Sequence, residues 1–175
     1  FFFMPVIVSD SMPHLERLGI TRVMTHSEKP AAYMADAYAR VSRSVGVCGS
    51  QSVGAANLAA GLQYAYPASA PVIAITGRLS QEQQDRNAYQ EVDHGNPFSA
   101  VTKYSSKVNT TEQFPMFLRQ AIREATTGTP GPVHLDLAGI SGGDVSEKEA
   151  DLEIVIEDQF MTLPPFRPEP DSDSV

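Results

Sequence analysis

The chain has 175 residues, of which 42% are hydrophobic, and a formal net charge of −8. This length suits one domain with a sizeable core, and the single cysteine, Cys48, excludes an internal disulfide. We expect Cys48 to be buried and inert in an apolar strand, and the protein to be cytoplasmic, in a reducing compartment. No basic cluster favours nucleic-acid binding, and no apolar run predicts a membrane span or a secretion signal.

The first elements of the chain are predicted to be two apolar strands followed by a helix. Residues 1–6 (FFFMPV) predict a strand, which we expect to be the remnant of a longer native one, and residues 20–24 (ITRVM) predict another. Apolar residues recur at helical spacing from about Lys29 to Val41, which predicts a helix with one packing face. Glu28 therefore lies where a strand turns into a helix, at the edge where open α/β sheets keep their ligands.

Glu28 has two explanations at this point. The run Thr25-His26-Ser27-Glu28 fits a capping box, in which the glutamate only satisfies a free backbone N–H. With Thr25 as the cap, Pro30 would fall beyond the first turn, where its missing N–H removes a helix bond. With Ser27 as the cap, Pro30 lies in the first turn and Glu28 is free for another role. This segment alone leaves both interpretations open.

The rest of the chain alternates between strands and helices. Apolar runs predict three strands, at residues 45–49 (VGVCG), 71–77 (PVIAITG) and 129–137 (TPGPVHLDL). A helix of small residues is predicted after the turn at residues 50–57 (SQSVGAAN), and a second helix from about Thr111 to Ala125. Strands that alternate with helices predict a mostly parallel sheet.

Four motifs occur in an order that resembles a known family. They are Glu28 followed by ADAYAR, the VGAAN turn at residues 53–57, the YQEVD segment at residues 89–93, and the TPGPVHLDL strand. Together they resemble the pyrimidine-binding domain of thiamine diphosphate-dependent enzymes of the acetolactate synthase-like group, over roughly residues 1–139. The resemblance implies a thiamine diphosphate-binding fold: a doubly wound, mostly parallel α/β sheet of five or six strands, with helices on both faces.

The resemblance gives Glu28 a catalytic role. In the family, the helix-opening glutamate hydrogen-bonds a ring nitrogen of the cofactor's aminopyrimidine and favours the imino tautomer. The exocyclic nitrogen of that tautomer then removes the proton from thiazolium C2, so the protein contributes positioning and a proton relay. The neighbours His26, Ser27 and Lys29 depart from the family's Arg-His-Glu-Gln, a departure that bears on contacts to the substrate and the neighbouring subunit.

Four positions correspond to cofactor-contacting residues of the family, and three of them carry the same residue type. The turn resembles the family's Gly-Pro-Gly-x-x-Asn, so Gly54 and Asn57 match its glycine and asparagine, while Val53 replaces its proline. The structural alternative is a glycine that permits close backbone approach and an asparagine that caps the turn. Gln90 matches a glutamine that reaches towards the cofactor and substrate pocket. We predict that all four contact the cofactor.

Other polar residues are weaker candidates. Lys103 matches a lysine at the substrate channel of synthase-type enzymes, although a solvated surface lysine is an equal alternative. Gln51 and His94 lie close in sequence to the matched segments and are pocket candidates, His134 is expected in the core or at a sheet edge, and Tyr64 has no assigned role. The four histidines lack the spacing of a metal site, so we predict no metal ligand in this chain.

The family also implies cofactors and partners. A separate domain holds the diphosphate and its Mg²⁺ through a GDG…N motif, and that motif is absent from this sequence. The cofactor lies between the pyrimidine-binding domain and the diphosphate-binding domain of a partner subunit. We therefore expect thiamine diphosphate, Mg²⁺, a 2-keto acid substrate, and a homodimer or homotetramer of the full-length protein. Some synthases also carry FAD on the middle domain, which is not readable from this chain.

The end of the chain differs in composition from the rest. From Asp144 onwards there are ten acidic and two basic residues, so this segment carries the whole net charge. We predict a pyrimidine-binding domain at residues 1–140 and an extended, proline-containing linker towards a middle domain at residues 141–175.

Three functions fit the sequence. The chain is the pyrimidine-binding part of an acetolactate synthase-like enzyme that decarboxylates or ligates 2-keto acids, and the linker favours this reading. Alternatively, it is the separate pyrimidine-binding subunit of a sulfopyruvate decarboxylase-type enzyme. Finally, it is a non-catalytic binding or assembly module of the same fold, against which the carboxylate of Glu28 argues.

Overall fold

A computed structural model describes residues 2–3, 12–139, 151–161 and 163–164. Within these ranges, six strands form one parallel sheet in the order β2-β1-β3-β4-β6-β5. The strands are β1 (Phe2–Phe3), β2 (Val23–Met24), β3 (Gly46–Gln51), β4 (Val72–Arg78), β5 (Tyr104–Val108) and β6 (Val133–Ala138). The predicted parallel sheet of five or six strands is therefore confirmed. The predicted strand at residues 1–6 is seen only at Phe2–Phe3, since the other four residues lie outside the described ranges.

Five α-helices accompany the sheet in the described part of the chain: α1 (Met12–Arg17), α2 (Glu28–Ser42), α3 (Gly54–Leu62), α4 (Gly95–Ser99) and α5 (Phe114–Thr126). The predicted helix from Lys29 to Val41 corresponds to α2. The helix predicted from Thr111 begins instead with a 3₁₀ turn, where Thr110 and Gln113 form a capping box, and becomes α-helical at Phe114.

The central strands are buried on both faces, as expected in a sheet covered by helices on each side. Along β4, Val72 and Ala74 pack with α2 and α3, whereas Ile73 and Ile75 pack with α5. Cys48 is fully buried on the α2–α3 side, and burial raises the pKa of its thiol to about 12. The predictions of helices on both faces and of a buried cysteine are confirmed, and the inertness of the thiol stays a prediction.

Small residues bring α2 and α3 together. Alanines dominate the buried face of α2, and alanine, glycine and leucine make up the buried face of α3. At Gly61 an added β-carbon would lie 2.6 Å from the β-carbon of Ala32 and 2.9 Å from the carbonyl oxygen of Lys29. This close packing holds the last turn of α3 against the first turns of α2.

The described part of the acidic segment corrects one expectation. Residues 151–161 were predicted to belong to an unpacked linker, but Phe160 is 4% exposed and joins the core beside α5. The guanidinium of Arg123 lies 4.7 Å from the centre of its ring, and Arg119 pairs with Glu157. The prediction rested on the acidic composition of the segment, but burial of an aromatic ring and contacts with cationic side chains of α5 hold it against the domain. The boundary at residue 140 and the role as a linker stay predictions.

No helix among the described residues is both long and apolar enough to cross a membrane.

Candidate functional site

The strand order reverses direction between β1 and β3. The chain continues from β1 to β2 on one side of the sheet and from β3 to β4 on the other. In open α/β sheets, ligands bind at the carboxyl ends of the strands where this reversal occurs. Glu28 opens α2 after β2, and Gly54 opens α3 after β3. Both residues thus lie at the switch point of the sheet.

The start of α2 decides between the two interpretations of Glu28. Ser27 is the N-cap, with extended backbone angles (φ −159°, ψ 158°) and no side-chain capping bond. The hydroxyl of Thr25 donates instead to the carbonyl of Ser27, at 2.7 Å. Glu28 is therefore the first helical residue, Pro30 lies in the first turn, and the capping-box interpretation is wrong.

The carboxylate of Glu28 is held from α3. The amide nitrogen Nδ2 of Asn57 donates to Oε2 of Glu28 at 3.2 Å. A β-carbon added at Gly54 would lie 2.6 Å from Oε1, so only glycine leaves room for the carboxylate in this position. Oε1 accepts no hydrogen bond from the described residues and can receive a donor from a ligand. A partly buried carboxylate near two helix N-termini is in a favourable electrostatic setting.

The structure joins Gln90 to the same turn through its backbone. The hydroxyl of Ser52 donates to the carbonyl oxygen of Gln90. Both residues have positive φ angles, 44° at Ser52 and 67° at Gln90. Val53 follows Ser52 and is 57% exposed, so its side chain is accessible from outside. Glu28, Gly54 and Asn57 are thus in contact, and Gln90 is tied to the turn that opens α3.

Gln51 ends β3 just before this turn. Its Oε1 is buried without a hydrogen-bond partner in the described part of the chain. A buried acceptor left without a donor is costly, and its position beside the turn keeps Gln51 a pocket candidate.

Sequence reasoning missed a buried polar cluster under the turn, made by Thr76, His94, His134 and Asp136. Oγ1 of Thr76 lies 2.8 Å from Oδ1 of Asp136 and 2.7 Å from Nε2 of His134. Nδ1 of His94 lies 2.8 Å from the same Asp136 oxygen. Burial lowers the pKa of His134 to about 3; His94 acts in the same direction and Asp136 opposes it. His134 is thus a neutral residue of the core, which is one of the two locations predicted for it, the other being a sheet edge.

A polar cavity of about 290 Å³ lies beside this cluster. Its walls include Arg78, His94 and Asp136, all buried, and the more exposed Lys107 and Asp93. Nε of Arg78 lies 3.5 Å from Oδ2 of Asp136. His94, a pocket candidate from the sequence, therefore borders a cavity, but its ring is directed into the core cluster.

Lys103 has a role that neither sequence interpretation foresaw. Its Nζ donates to the carbonyl oxygens of Glu124 at 2.7 Å and Thr127 at 2.9 Å, which caps the end of α5. Burial lowers the pKa of Lys103, while Glu124 opposes the shift. Lys103 is therefore neither freely solvated nor brought to the Glu28 site.

Tyr64 packs its ring edge-to-face with Tyr33 of α2, with ring centres 6.2 Å apart. Both rings are substantially exposed, so they lie on the outer surface of α2 and of the turn that follows α3. Among the described residues, no group of three His, Cys, Asp or Glu side chains could hold a metal ion.

Comparison with known proteins identifies the family. A model described as "Thiamine pyrophosphate enzyme, N-terminal TPP binding domain" matches residues 6–96, and thiamine pyrophosphate is thiamine diphosphate. The chain belongs to this family. It is a thiamine diphosphate-binding N-terminal domain of the acetolactate synthase-like group.

Three relatives illustrate the similarity. The chain is 39% identical over 85% of its length to a probable acetolactate synthase large subunit of Methanocaldococcus jannaschii. It is 38% identical over 68% of its length to the acetolactate synthase isozyme 2 large subunit of Escherichia coli. It is 33% identical over 74% of its length to a 2-hydroxyacyl-CoA lyase 2 of Danio rerio. The chain spans only 25%, 22% and 21% of these relatives, respectively.

Proposed function

We propose that this chain forms the aminopyrimidine side of the active site in a thiamine diphosphate enzyme acting on a 2-keto acid. The reaction is decarboxylation followed by carboligation, or a related transferase or lyase step, as the names of its relatives suggest. The observation that carries the proposal is the carboxylate of Glu28, set against Gly54 and Asn57 at the switch point of the sheet. A glutamate with only a structural role would not need its carboxylate beside Gly54 and Asn57.

The chemistry of this carboxylate fits the cofactor. Bound thiamine diphosphate would stabilise a carbanion on the carbonyl carbon of the substrate. Oε1 of Glu28 is the atom that holds and moves the proton at the pyrimidine ring, because Asn57 already donates to Oε2. A partly buried carboxylate with one open acceptor position can share a proton with a nitrogen heterocycle.

The neighbouring residues orient the ring. Gly54 leaves the space in which the carboxylate stands, and Asn57 fixes its direction. Gln90, tied to Ser52, borders the substrate side, and the exposed Val53 offers an apolar contact for the rings. Each of the four is proposed as a cofactor-binding residue.

The other half of the site comes from a partner in this proposal. The diphosphate and Mg²⁺ are held by the diphosphate-binding domain of a second subunit, which makes the full-length protein a homodimer or homotetramer. Exposed apolar side chains on the outer face of α2 and around the end of α3 support a partner surface: Tyr33, Met34, Tyr38, Val41, Tyr64 and Tyr66. Cytoplasmic location stays a prediction from the sequence.

Two alternatives remain from the sequence. A separate pyrimidine-binding subunit would carry the same Glu28 chemistry but obtain its diphosphate domain from another chain. An assembly module would bind no cofactor at all. Both alternatives differ from the first proposal in how the full-length gene product binds the cofactor: with a second kind of chain, or not at all.

The test uses the full-length protein with thiamine diphosphate, Mg²⁺ and 2-keto acids. Glu28→Gln keeps the shape of the side chain and removes the proton relay, so turnover should fall at least about 100-fold. Glu82→Gln, at an exposed glutamate of the 3₁₀ turn at residues 81–83, makes the same chemical change away from the site and should leave turnover intact. Undiminished turnover in a folded Glu28→Gln protein would refute the relay. An absence of cofactor binding by a folded wild-type protein with its diphosphate-binding domain present would favour the assembly module.

A further inference from the structure

His94 connects the buried polar cluster to the turn that opens α3. Its ring is 1% exposed and uses both nitrogens. Nε2 lies 3.0 Å from the carbonyl oxygen of Ser52, and Nδ1 lies 2.8 Å from Oδ1 of Asp136. The histidine thus spans the distance between a core strand, β6, and the turn that follows β3.

The turn needs such a support. Ser52 and Gln90 both adopt left-handed backbone conformations, which L residues with a β-carbon rarely take. The carbonyl oxygen of Ser52 accepts from the backbone N–H of Ala55 at 2.9 Å as well as from His94. The hydroxyl of the same serine holds Gln90. Contacts at one residue, Ser52, therefore fix the start of α3 and the segment that carries Gln90.

The hydrogen bonds define which atoms carry protons. A carbonyl oxygen only accepts, so Nε2 of His94 must carry the hydrogen that it donates to Ser52. One proton lies between Nδ1 and the carboxylate of Asp136, because these two atoms are 2.8 Å apart. The hydroxyl of Thr76 donates to the same oxygen of Asp136 and therefore accepts from Nε2 of His134. Every polar atom of the His94 ring thus has a partner, and its orientation is fixed.

We propose that His94 is a positioning residue for the cofactor, acting through the carbonyl of Ser52. It holds the turn so that Gly54 and Asn57 stand where they meet Glu28. This inference rests on the proposed function, because its consequence is affinity for thiamine diphosphate. The hydrogen bonds of the His94 ring go to Thr76, Asp136 and Ser52, none of which is proposed to bind the cofactor.

Two substitutions separate the two bonds of the ring. Asparagine places an amide nitrogen near the position of Nδ1, so His94→Asn can keep the bond to Asp136 and loses the bond to Ser52. Glutamine places its amide nitrogen near the position of Nε2, so His94→Gln can keep the bond to Ser52. Ser105→Ala removes the hydroxyl that lies 2.8 Å from Nδ1 of His134 and serves as a control on the far side of the cluster.

The experiment measures thiamine diphosphate affinity in Mg²⁺ buffer, thermal stability, and hydrogen exchange of peptides covering residues 52–57 in the full-length protein. For His94→Asn we expect the Kd to rise about tenfold and exchange at the turn to accelerate, as loss of one buried hydrogen bond implies. For His94→Gln and Ser105→Ala the Kd should stay within about threefold of wild type. Equal losses in the Asn and Gln variants, or no loss in either, would overturn the inference.

Failure of the proposed function gives a different result. If the wild-type protein binds no thiamine diphosphate, the proposed function fails, and hydrogen exchange still decides whether His94 holds the turn. If wild type binds the cofactor and the two histidine variants behave alike, the function stands and the positioning role is wrong.

Discussion

The carboxylate of Glu28 lies so close to Gly54 that an added β-carbon would stand 2.6 Å from Oε1. The three atoms nearest to that position all belong to the Glu28 side chain. One turn further along α3, Asn57 donates to the other carboxylate oxygen. The first turn of α3 therefore determines where the carboxylate of α2 can stand.

Substitution of Gly54 by alanine should separate function from stability. The new methyl group would displace the Glu28 carboxylate, which is the end of a flexible side chain, and leave the backbone in place. Because alanine also favours helix over glycine by up to about 1 kcal/mol, the free energy of unfolding should not fall. We expect turnover of the full-length enzyme to drop at least about tenfold with an unchanged melting temperature.

Gly61→Ala is the matched control. There the added carbon would meet the backbone oxygen of Lys29 at 2.9 Å and the β-carbon of Ala32 at 2.6 Å, so α2 and α3 must separate. Overpacking of this kind costs about 1–3 kcal/mol, and the melting temperature should fall. A Gly54→Ala protein that loses stability as Gly61→Ala does would contradict the role assigned to the Glu28 contact.

Local signals predicted five of the six strands and three of the five α-helices in the described part of the chain, whereas α1, α4 and β5 were not predicted. Pro30 favoured a start of α2 near Glu28, since proline is tolerated in the first turn, but only the N-cap seen at Ser27 excluded the capping box. The contact between Glu28 and Asn57 was not predictable in that way, because it depends on how closely α2 and α3 pack. The resemblance supplied both residues, and only the structure supplied their hydrogen bond.

The buried polar cluster was predictable from the sequence only in part. His134 and Asp136 are two residues apart in an otherwise apolar strand and therefore face the same side of the sheet. That spacing was a signal for a buried polar group. Its partners, Thr76 and His94, are 58 and 40 residues from His134 along the chain, so no local pattern connects them. The capping role of Lys103 was missed for the same reason, since its bonds are to the end of α5.

The buried His134 should make this domain sensitive to acid. Its folded pKa is about 3, below the ordinary value of 6.5, so the unfolded chain binds a proton in this range that the folded chain does not. Stability from His134 is therefore complete above pH 6.5 and declines as the pH falls towards 3, by at most about 1.4 kcal/mol per pH unit.

The variant His134→Gln tests this source of the pH dependence. The glutamine amide can reproduce the bond to Thr76 but does not titrate. Hydrogen exchange of β6 in the full-length protein, corrected for its intrinsic pH dependence, measures the opening free energy at each pH. We expect a shallower slope between pH 6.5 and about 3 in the variant. Identical slopes would assign the acid sensitivity to other groups.

The segment at residues 151–161 should be held to the domain mainly by Phe160. Its ring is 4% exposed and lies under the guanidinium of Arg123. Truncation of a buried phenylalanine costs about 3–5 kcal/mol when the chain stays docked, so the segment in Phe160→Ala should instead detach. Limited proteolysis of the full-length protein should then cut residues 151–161 sooner than in wild type. Ile154→Ala, at a half-exposed residue of the same segment, should not accelerate cutting.

The effect of salt distinguishes attachment of residues 151–161 by burial of Phe160 from attachment by an ion pair. The pair between Glu157 and Arg119 is partly exposed and is weakened by added salt, whereas the burial of Phe160 is not. If Phe160 dominates, cutting of the wild-type segment should change little between low and high salt, and Phe160→Ala should be cut quickly at both. Rapid cutting of wild type at high salt, with little effect of Phe160→Ala at low salt, would instead assign the attachment to the ion pair.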